Sequence, residues 1–426
     1  MLDLSVIREA PDRIRKAMHD KGLANDAVVD EILVLDERRR SALTELQSAQ
    51  RRSNTISRSI GDLMRSGKRD EAQVFMAESG QIKERIKALE GDARDVEAAL
   101  NCLLLEIPNL PHDSVPVGRT PAENQVVFEH SERPAFDFTP VPHWDLAARH
   151  GLIDFERGAK VTGAGFPFYI GKGARLQRAL INFFLDLATT EGGYIEMQPP
   201  LVANAASATG TGQLPDKEDL MYEAPRDGLY LVPTAEVPVT NYLRGEVLDE
   251  ADLPVKYCAY TACFRREAGS YGKDVRGLNR LHQFDKIELV QFVHPDQSYK
   301  ALEALREDAE RALVRLGLPY HRLLMCTGDM GFTQAKKYDL EVWSAAQERW
   351  LEVSSISNFE AFQARRMQIR YRPAEGGKPA VVHTLNGSGL ALPRIVAALL
   401  ENNQQADGSI LMPEALQTYT GFERIG

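Results

Sequence analysis

The chain of 426 residues has few cysteines, no long apolar run and no histidine array. Its four cysteines form no C-x-x-C pair, which argues against a zinc ribbon or a disulfide framework and favours a reducing cytoplasm. No stretch of about 18 apolar residues is present, so no membrane span is expected. The N-terminus MLDLSVIREAPDRI lacks the apolar core of a signal peptide. The nine histidines contain no HxxxH or HExxH spacing, which argues against a histidine metal site.

Proline is missing from residues 12–107, whereas seven of the 22 prolines fall between Pro108 and Pro142. Because proline interrupts helices, the first region is predicted to be helical and the second to be a linker. The chain therefore divides into a helical domain at 1–107, a Pro-rich linker at 108–143 and a larger domain at 144–426.

Apolar residues of the helical domain follow a heptad with 4-3 spacing over residues 28–63 and again over 75–103. Gly61 and Gly67 act as breakers between the two stretches. The pattern predicts two antiparallel helices that form a coiled-coil arm over about residues 26–104. Each helix of about 35 residues would be roughly 50 Å long, and the narrow seam predicts an arm that projects from the body.

The far end of the predicted arm is basic, although the chain as a whole carries 51 Lys+Arg against 61 Asp+Glu and a net charge of −10. An acidic protein needs a local basic surface to bind nucleic acid, and contact with phosphates dominates such binding. A solvated helix face is the alternative explanation. The candidate phosphate-binding residues are Arg51, Arg52, Arg58, Arg65, Lys68 and Arg69.

From about residue 144, short strand-like runs alternate with helices such as those predicted over 176–194 and 298–318. This alternation predicts an α+β body around an antiparallel sheet. Within it, residues 261–288 (TACFRREAGSYGKDVRGLNRLHQFDKIE) predict two strands joined by a glycine-rich loop that contains Gly269, Gly272 and Gly277. Arg265 and Glu267 would share one face of the first strand, because strand side chains alternate.

The 261–288 segment resembles motif 2 of the class II aminoacyl-tRNA synthetases, in the form that seryl-tRNA synthetases use. The resemblance extends over the whole chain, through segments that occur in the family's order. They are GGYIEMQPPLV (192–202, motif 1), GTGQLP (210–215), PTAEVP (233–238), LEVSSISN (351–358) and TLNGSGLALPRIVAALLENNQ (384–404, motif 3).

The resemblance implies a class II catalytic domain built on a mostly antiparallel sheet flanked by helices. It also implies a serine–tRNA ligase, which activates L-serine with ATP and transfers it to tRNA(Ser), and to tRNA(Sec) in cells that have it. The arm would grip the tRNA, motif 1 would pack a homodimer, and the protein would be cytoplasmic and not bound to membranes.

The family's ATP site maps onto this chain residue by residue. Arg265 would bridge the serine carboxylate and the α-phosphate, and Arg394 would bind the γ-phosphate. Glu267 would accept a hydrogen bond from the adenine amino group, and Phe284 would stack on the adenine ring. Glu352 and Ser355 would hold Mg²⁺. The implied ATP-binding set is Arg265, Arg266, Glu267, Leu281, Phe284, Glu352, Val353, Ser354, Ser355 and Arg394, of which Arg265, Glu352 and Arg394 are the catalytic candidates.

The implied serine pocket is polar, because a site that hydrogen-bonds the hydroxyl rejects alanine. Which carboxylate contacts the ammonium group and which contacts the hydroxyl stays open. The implied serine-binding residues are Thr234, Ala235, Glu236, Arg265, Glu288, Asn386 and Ser388.

The chain departs from the commoner family pattern at three positions. Pro393 stands where a glycine usually precedes the motif 3 arginine, and Ile356 and Phe359 stand where many relatives have cysteines, so no zinc is expected. Two alternative functions predict other features. A ligase that loads an amino acid onto a carrier protein would lack the arm, and a non-catalytic RNA-binding paralogue would have lost the motif residues.

Overall fold

The computed structural model describes residues 1–267 and 276–426, and the chain forms two compact units, residues 1–108 and 109–426. Gly269 and Gly272 of the predicted glycine-rich loop lie outside the described residues. Among the described residues, no helix combines the length and apolarity that a membrane crossing requires.

The first unit is helical and is dominated by two long helices. In chain order its helices are α1 (Leu4–Glu9), α2 (Pro11–Asp20), α3 (Ala27–Arg65) and α4 (Arg69–Leu104). At 1.5 Å per residue, α3 with its 39 residues is roughly 58 Å long.

Ion pairs between α3 and α4 show that the two helices run antiparallel. Arg85 bonds to Glu45 at 2.6 Å and Arg52 to Glu78 at 2.7 Å, so residue numbers rise on one helix as they fall on the other. The predicted two-helix coiled coil is confirmed. Its buried heptad positions are Val28, Ile32, Ala42, Ile56, Ser79, Leu89, Val96 and Leu100.

The turn of the hairpin lies nearer to its second glycine than the sequence suggested. Helix α3 continues through Gly61 to Arg65, so Gly61 does not break it. Gly67 sits in the turn with a φ of +78°, a backbone conformation that glycine adopts without strain.

The second unit contains strands and helices in alternation. Its strands are β1 (Gln125–His130), β2 (Ile153–Asp154), β3 (Phe168–Tyr169), β4 (Ile195–Met197), β5 (Val202–Asn204), β6 (Glu223–Ala224), β7 (Leu229–Leu231), β8 (Val247–Asp249), β9 (Val255–Phe264), β10 (Gln283–Val293), β11 (Tyr320–Leu324), β12 (Lys336–Ser344), β13 (Arg349–Glu360), β14 (Arg370–Arg372), β15 (Ala380–Val381), β16 (His383–Ala391), β17 (Ile410–Leu411) and β18 (Arg424–Ile425). Its helices are α5 (His143–Arg149), α6 (Phe155–Val161), α7 (Lys172–Thr190), α8 (Ala205–Thr211), α9 (Glu236–Asn241), α10 (Ser298–Arg315), α11 (Phe362–Met367), α12 (Leu392–Asn402) and α13 (Glu414–Thr420).

The main sheet of the described residues has the strand order β1-β11-β12-β13-β16-β10-β9-β4. Its neighbouring strands are antiparallel except β4, which pairs with β9 in parallel. Helices α7, α10 and α12 pack their apolar faces on the sheet, in one core that includes Leu180, Leu305 and Leu399. The α+β class and the mostly antiparallel sheet flanked by helices are confirmed.

Part of the stretch interpreted as a linker belongs to the sheet. Residues 125–130 form β1, the edge strand, and pair with β11 from Gln125 opposite Leu324 to His130 opposite Tyr320. Proline is compatible with this because it falls outside the strand.

Candidate active site

A cleft with a volume of about 430 Å³ opens at the ends of β9 and β10, beside β13, β16 and the start of α12. The volume lies within the range of small-molecule sites, about 300–1,000 Å³. Its lining holds four glutamates and six basic residues, in a chain whose net charge is −10. The basic residues are Lys217, Arg265, Arg280, Lys286, Lys337 and Arg394. The cleft is therefore suited to an anionic ligand.

The structure brings most of the predicted site residues together on this wall, from five separate segments of the chain. The predicted residues that line the cleft are Thr234, Glu236, Arg265, Glu267, Leu281, Phe284, Glu288, Glu352, Val353, Ser354, Ser355, Asn386, Ser388 and Arg394.

Arg266 and Ala235 were predicted as site residues, but neither lines the cleft. Arg266 follows Arg265 and its side chain is exposed, while its backbone N–H donates to Leu220 O at 2.9 Å. Ala235 is fully buried in a hydrophobic cluster with Val239 and Val290. The side chains of both residues therefore lie outside the lining of the cleft, and their predicted roles stay predictions.

Arg265 and Glu267 reach the cleft by a route that differs from the prediction. Strand β9 ends at Phe264, and Glu267 has a φ of +49°, so a turn of the backbone orients these side chains rather than strand alternation. Glu267 is paired with Arg280. Among the described residues Arg265 has no acidic partner within 4 Å, so its charge is available to a ligand.

The position of Arg265 is fixed by two contacts. Its Nε donates to Pro233 O at 3.3 Å, and its guanidinium lies 5.1 Å from the centroid of the Phe284 ring. Phe284 stands opposite Cys263 in the β9–β10 ladder. The cation–π contact holds the arginine while its terminal nitrogens stay free to bind an oxyanion.

One end of the cleft carries a buried polar network centred on Thr234. Its Oγ1 donates to Glu288 Oε2 at 2.7 Å and accepts from Lys286 Nζ at 2.8 Å, and Lys286 also pairs with Glu288. Glu288 lies directly opposite Ser388 in the β10–β16 ladder. Burial makes these directional contacts rigid, which suits recognition of a small polar molecule.

Glu236 completes this end of the cleft. Gln363 Nε2 donates to its Oε1 at 2.7 Å, and Thr384 Oγ1 donates to Gln363 Oε1 at 2.9 Å, which fixes the orientation of the amide. Burial, and next the charge of Glu288, raises the pKa of Glu236. A ligand ammonium group between the two carboxylates would relieve this repulsion.

Arg394 lies in the first turn of α12 and also lines the cleft. Its Nε donates to Asn279 O at 3.0 Å and its Nη1 to Glu352 O at 2.7 Å. Pro393 occupies the first turn of the helix, where its lack of an N–H removes no helical hydrogen bond. The proline is thus compatible with presentation of Arg394 on the cleft wall.

Glu352 and Ser355 face the same cleft although they are three residues apart on a strand. Glu341 pairs with Glu352 and Leu340 with Ser354, which leaves Val353 as the extra residue of a β-bulge. A bulge shifts the alternation by one residue, so both oxygen-bearing side chains point to one side.

The electrostatics favour an ionised Glu352. Its side chain is 46% exposed, and partial desolvation is outweighed by the positive charges of Lys337, Arg394 and Arg265, which lower the pKa of Glu352. Burial raises the pKa of neighbouring Asp339 to about 7, with the ammonium of Lys337 opposing the shift and the charge of Glu352 adding to it.

The donor set at this point fits a hard divalent cation. Glu352 and Ser355 supply oxygen ligands only, and the buried Asp339 Oδ1 beside them has no hydrogen-bond partner within the described chain. Among the described residues no group of three or more His, Cys, Asp or Glu side chains is arranged as a metal cage. Mg²⁺ suits such a site because it takes one or two protein ligands and completes its shell with phosphate and water.

The predicted set leaves out fourteen of the 28 lining residues, of which four basic residues and Asn279 bear most on the chemistry of the cleft. Lys286 alternates with Glu288 on β10, so strand periodicity contains a signal for it. The others, Lys217, Asn279, Arg280 and Lys337, occupy positions without such a signal. Burial lowers the pKa of Lys217, against the attraction of Glu236.

The chain matches two family models. Residues 1–111 match the seryl-tRNA synthetase N-terminal domain, and residues 221–403 match the class II tRNA synthetase core domain of the G, H, P, S and T enzymes. The serine–tRNA ligase of Salinibacter ruber is 65% identical over 426 residues, which is 100% of this chain and 99% of that protein. The Geobacter sulfurreducens serine–tRNA ligase is 50% identical over the full length of both chains.

A solved structure shows the same architecture. The crystal structure of seryl-tRNA synthetase from Pyrococcus horikoshii complexed with ATP superposes with a TM-score of 0.93 at 35% sequence identity. The similarity covers 100% of this chain and 99% of that one. It therefore includes both compact units.

Proposed function

The chain belongs to the seryl-tRNA synthetase family, and we propose that the cleft between Thr234 and Arg394 is where this serine–tRNA ligase activates serine. The observation that carries the proposal is the convergence of Arg265 and Arg394 on one cleft that also holds the Thr234–Glu288 network. Two guanidinium groups are thus available to bind a triphosphate, and the polar network around Thr234 is available to bind a small polar molecule.

The activation step joins two anions. A carboxylate oxygen of serine attacks the α-phosphorus of ATP, the new O–P bond forms, and the bond to the diphosphate leaving group breaks. Arg265 lowers the repulsion between the carboxylate and the α-phosphate, and Arg394 neutralises charge on the leaving diphosphate. Glu267, Leu281 and Phe284 form the adenine side of the site.

Serine selection is assigned to the buried network. Glu236 and Glu288 provide anionic partners for the ammonium group and acceptors for the hydroxyl, and Asn386 and Ser388 complete the wall. Alanine would leave these polar groups unpaired, which is the basis for strong rejection of an analogue without the hydroxyl. Threonine is excluded by the limited space.

Glu352 and Ser355 would hold Mg²⁺ if the ion accompanies ATP. When bound, the metal ion supplies positive charge that neutralises phosphate oxygens. The ionised state of Glu352 and the β-bulge at Val353 support this assignment.

The arm of residues 26–104, within the domain at 1–107, is proposed to bind tRNA(Ser), and tRNA(Sec) where it exists. Arg51, Arg58 and Arg69 are exposed, and among the described residues none has an acidic partner within 4 Å. Arg52, Arg65 and Lys68 pair with Glu78, Asp62 and Glu71, and such exposed pairs are weak enough to yield to phosphates. A cytoplasmic homodimer is proposed on the basis of the family, and light scattering that gives twice 47.5 kDa would support it.

ATP–diphosphate exchange with each of the twenty amino acids tests the proposed site. Serine alone should support exchange, Arg265→Ala should abolish it, and the adjacent Arg266→Ala should leave it within about twofold because that side chain does not line the cleft. Near-normal exchange by the Arg265 variant would refute the assignment.

A further inference from the structure

Glu401, in the last turn of α12, is a buried carboxylate that the activation site does not use. Its oxygens accept from His143 Nδ1 at 2.7 Å and His143 N at 3.0 Å, from Ala346 N at 3.1 Å, from Gln347 Nε2 at 3.2 Å and from Ser344 Oγ. Burial opposes ionisation, but these hydrogen bonds, led by the one from His143, lower the pKa of Glu401. The carboxylate is therefore a fixed, ionised anchor.

The imidazole of His143 connects this anchor to the backbone of the cleft wall. His143 is fully buried, and its Nε2 lies 2.9 Å from Leu278 N, an amide that can only donate. Nε2 is therefore the acceptor, and Nδ1 carries the ring proton that is donated to Glu401.

Gln347 provides a second connection from the same anchor. Its Nε2 donates to Glu401 and to Ser344 Oγ, so its Oε1 is left to accept from Asn279 Nδ2 at 2.8 Å. Glu401 thus reaches two consecutive residues, Leu278 through His143 and Asn279 through Gln347.

Asn279 is one of two residues whose carbonyls orient Arg394, the other being Glu352. The Asn279 carbonyl accepts from Arg394 Nε at 3.0 Å. Arg394 and Glu401 lie seven residues apart on α12, which is about two turns and roughly 10 Å along one face. The segment 277–279 therefore links the carboxylate near the end of the helix to the guanidinium at its start.

Gly277 shows how closely this segment approaches the histidine. Its φ is +67°, and a Cβ built on it would lie 2.3 Å from His143 Nε2. Any side chain would displace the ring or the backbone, so the contact requires glycine.

We propose that His143 and Glu401 are positioning residues, which hold segment 277–279 so that the Asn279 carbonyl aims Arg394 into the cleft. The inference rests on the proposed function, in which Arg394 binds the triphosphate of ATP. It predicts that damage to the buried pair weakens ATP binding but preserves serine recognition, because neither His143 nor Glu401 is bonded to Thr234 or Glu288.

Two substitutions of His143 separate its two hydrogen bonds. His143→Asn keeps an amide N–H near Nδ1 but does not reach Leu278, whereas His143→Gln places an amide oxygen near Nε2. We expect His143→Asn to raise the ATP dissociation constant about tenfold and His143→Gln about threefold or less, because an unpaired buried N–H is costly. Calorimetry measures ATP binding, and exchange assays measure the KM for serine, which should stay within about twofold.

A double-mutant cycle with Arg394→Ala tests whether the effect passes through the arginine. In that background His143→Asn should have no further effect on ATP binding, because the group that it positions is gone. The proposal would be overturned if His143→Asn weakened ATP binding equally in the parent and in the Arg394→Ala background. It would also be overturned if His143→Asn raised the ATP dissociation constant and the KM for serine by the same factor. If His143→Asn is unfolded at room temperature, the variant Gln347→Ala, at a half-buried position, replaces it in the test. We expect this variant to bind ATP about fivefold more weakly. Unchanged ATP binding by Gln347→Ala would overturn the proposal.

The same set distinguishes the two levels of inference. Unchanged ATP binding by Arg394→Ala would refute the proposed function of the cleft. Weakened binding by Arg394→Ala together with normal binding by folded His143→Asn would refute only the positioning role.

Discussion

Replacement of Thr234 by valine tests the network that supports the proposed serine pocket. The Thr234 hydroxyl donates to Glu288 at 2.7 Å, accepts from Lys286 at 2.8 Å and accepts from Glu236 N at 3.2 Å. Valine has nearly the same shape but no hydroxyl, so the variant loses these bonds without leaving a large cavity. The perturbation is therefore almost purely polar.

The magnitude follows from the charges of the partners. A hydrogen bond to a charged group contributes about 1.5–3 kcal/mol, and Thr234 makes two of them. Lys286 and Glu288 remain paired with each other in the variant, so we expect a loss of about 2–3 kcal/mol rather than the full sum. If that loss appears in the transition state for serine activation, kcat/KM for serine falls roughly 30- to 150-fold.

Serine-dependent ATP–diphosphate exchange measures this loss, with Thr234→Ser as the matched control. The Thr234→Ser variant keeps the hydroxyl and loses one methyl group. Its kcat/KM for the substrate serine should therefore stay within about threefold of the parent value. The KM for ATP should be unchanged in both variants, because among the described residues Thr234 makes no hydrogen bond to Arg265 or Arg394. Equal exchange by the valine and serine variants would refute the role of the hydroxyl.

Three further results are expected. Glu352→Gln should raise the Mg²⁺ concentration for half-maximal exchange by at least about tenfold, whereas the exposed Glu348→Gln should not; equal titrations would contradict the metal assignment. Replacement of residues 35–95 by a short glycine-rich linker should leave exchange within about twofold but reduce tRNA charging about 100-fold, and a parallel loss of both would contradict a separable arm. Burial lowers the pKa of His383 to about 4, so the unfolded chain binds the proton first and stability falls as the pH drops from about 6.5 to 4, by up to about 3 kcal/mol. Urea unfolding of His383→Gln should show a smaller loss between pH 7 and pH 4.5 than the parent, and equal losses would disprove this linkage.

The arm was predictable because its signal is local and periodic. A heptad repeats within each helix, so Val28, Ile32 and Leu100 could be assigned to the seam without knowledge of any distant contact. The position of the turn was less certain. Gly61 lies in a helix that its neighbours stabilise, and one glycine costs only about 1 kcal/mol in such a context.

The cleft was predictable as a set of residues but not as a geometry. Periodicity places Glu352 and Ser355 on opposite faces of a strand, and only the bulge at Val353 brings them together. Likewise, the strand that would place Arg265 and Glu267 on one face ends at Phe264, and Glu267 lies in a turn with a φ of +49°. Resemblance to a family can still identify such residues, because a motif records which residues are present and not the bulge or turn that brings them together.

The buried pair of His143 and Glu401 marks the limit of local reasoning. The two residues are 258 positions apart, and each is an ordinary polar residue at the end of a helix. Only the fold shows that the imidazole must accept from Leu278 and donate to Glu401, and that Asn279 passes this constraint to Arg394. The residues proposed to bind the triphosphate can be recognised by their charge, whereas the residues proposed to position them are defined by the directions of their hydrogen bonds. A charge can be recognised in a sequence, but a direction exists only after the chain has folded, and this is why the positioning residues escape motif-based prediction.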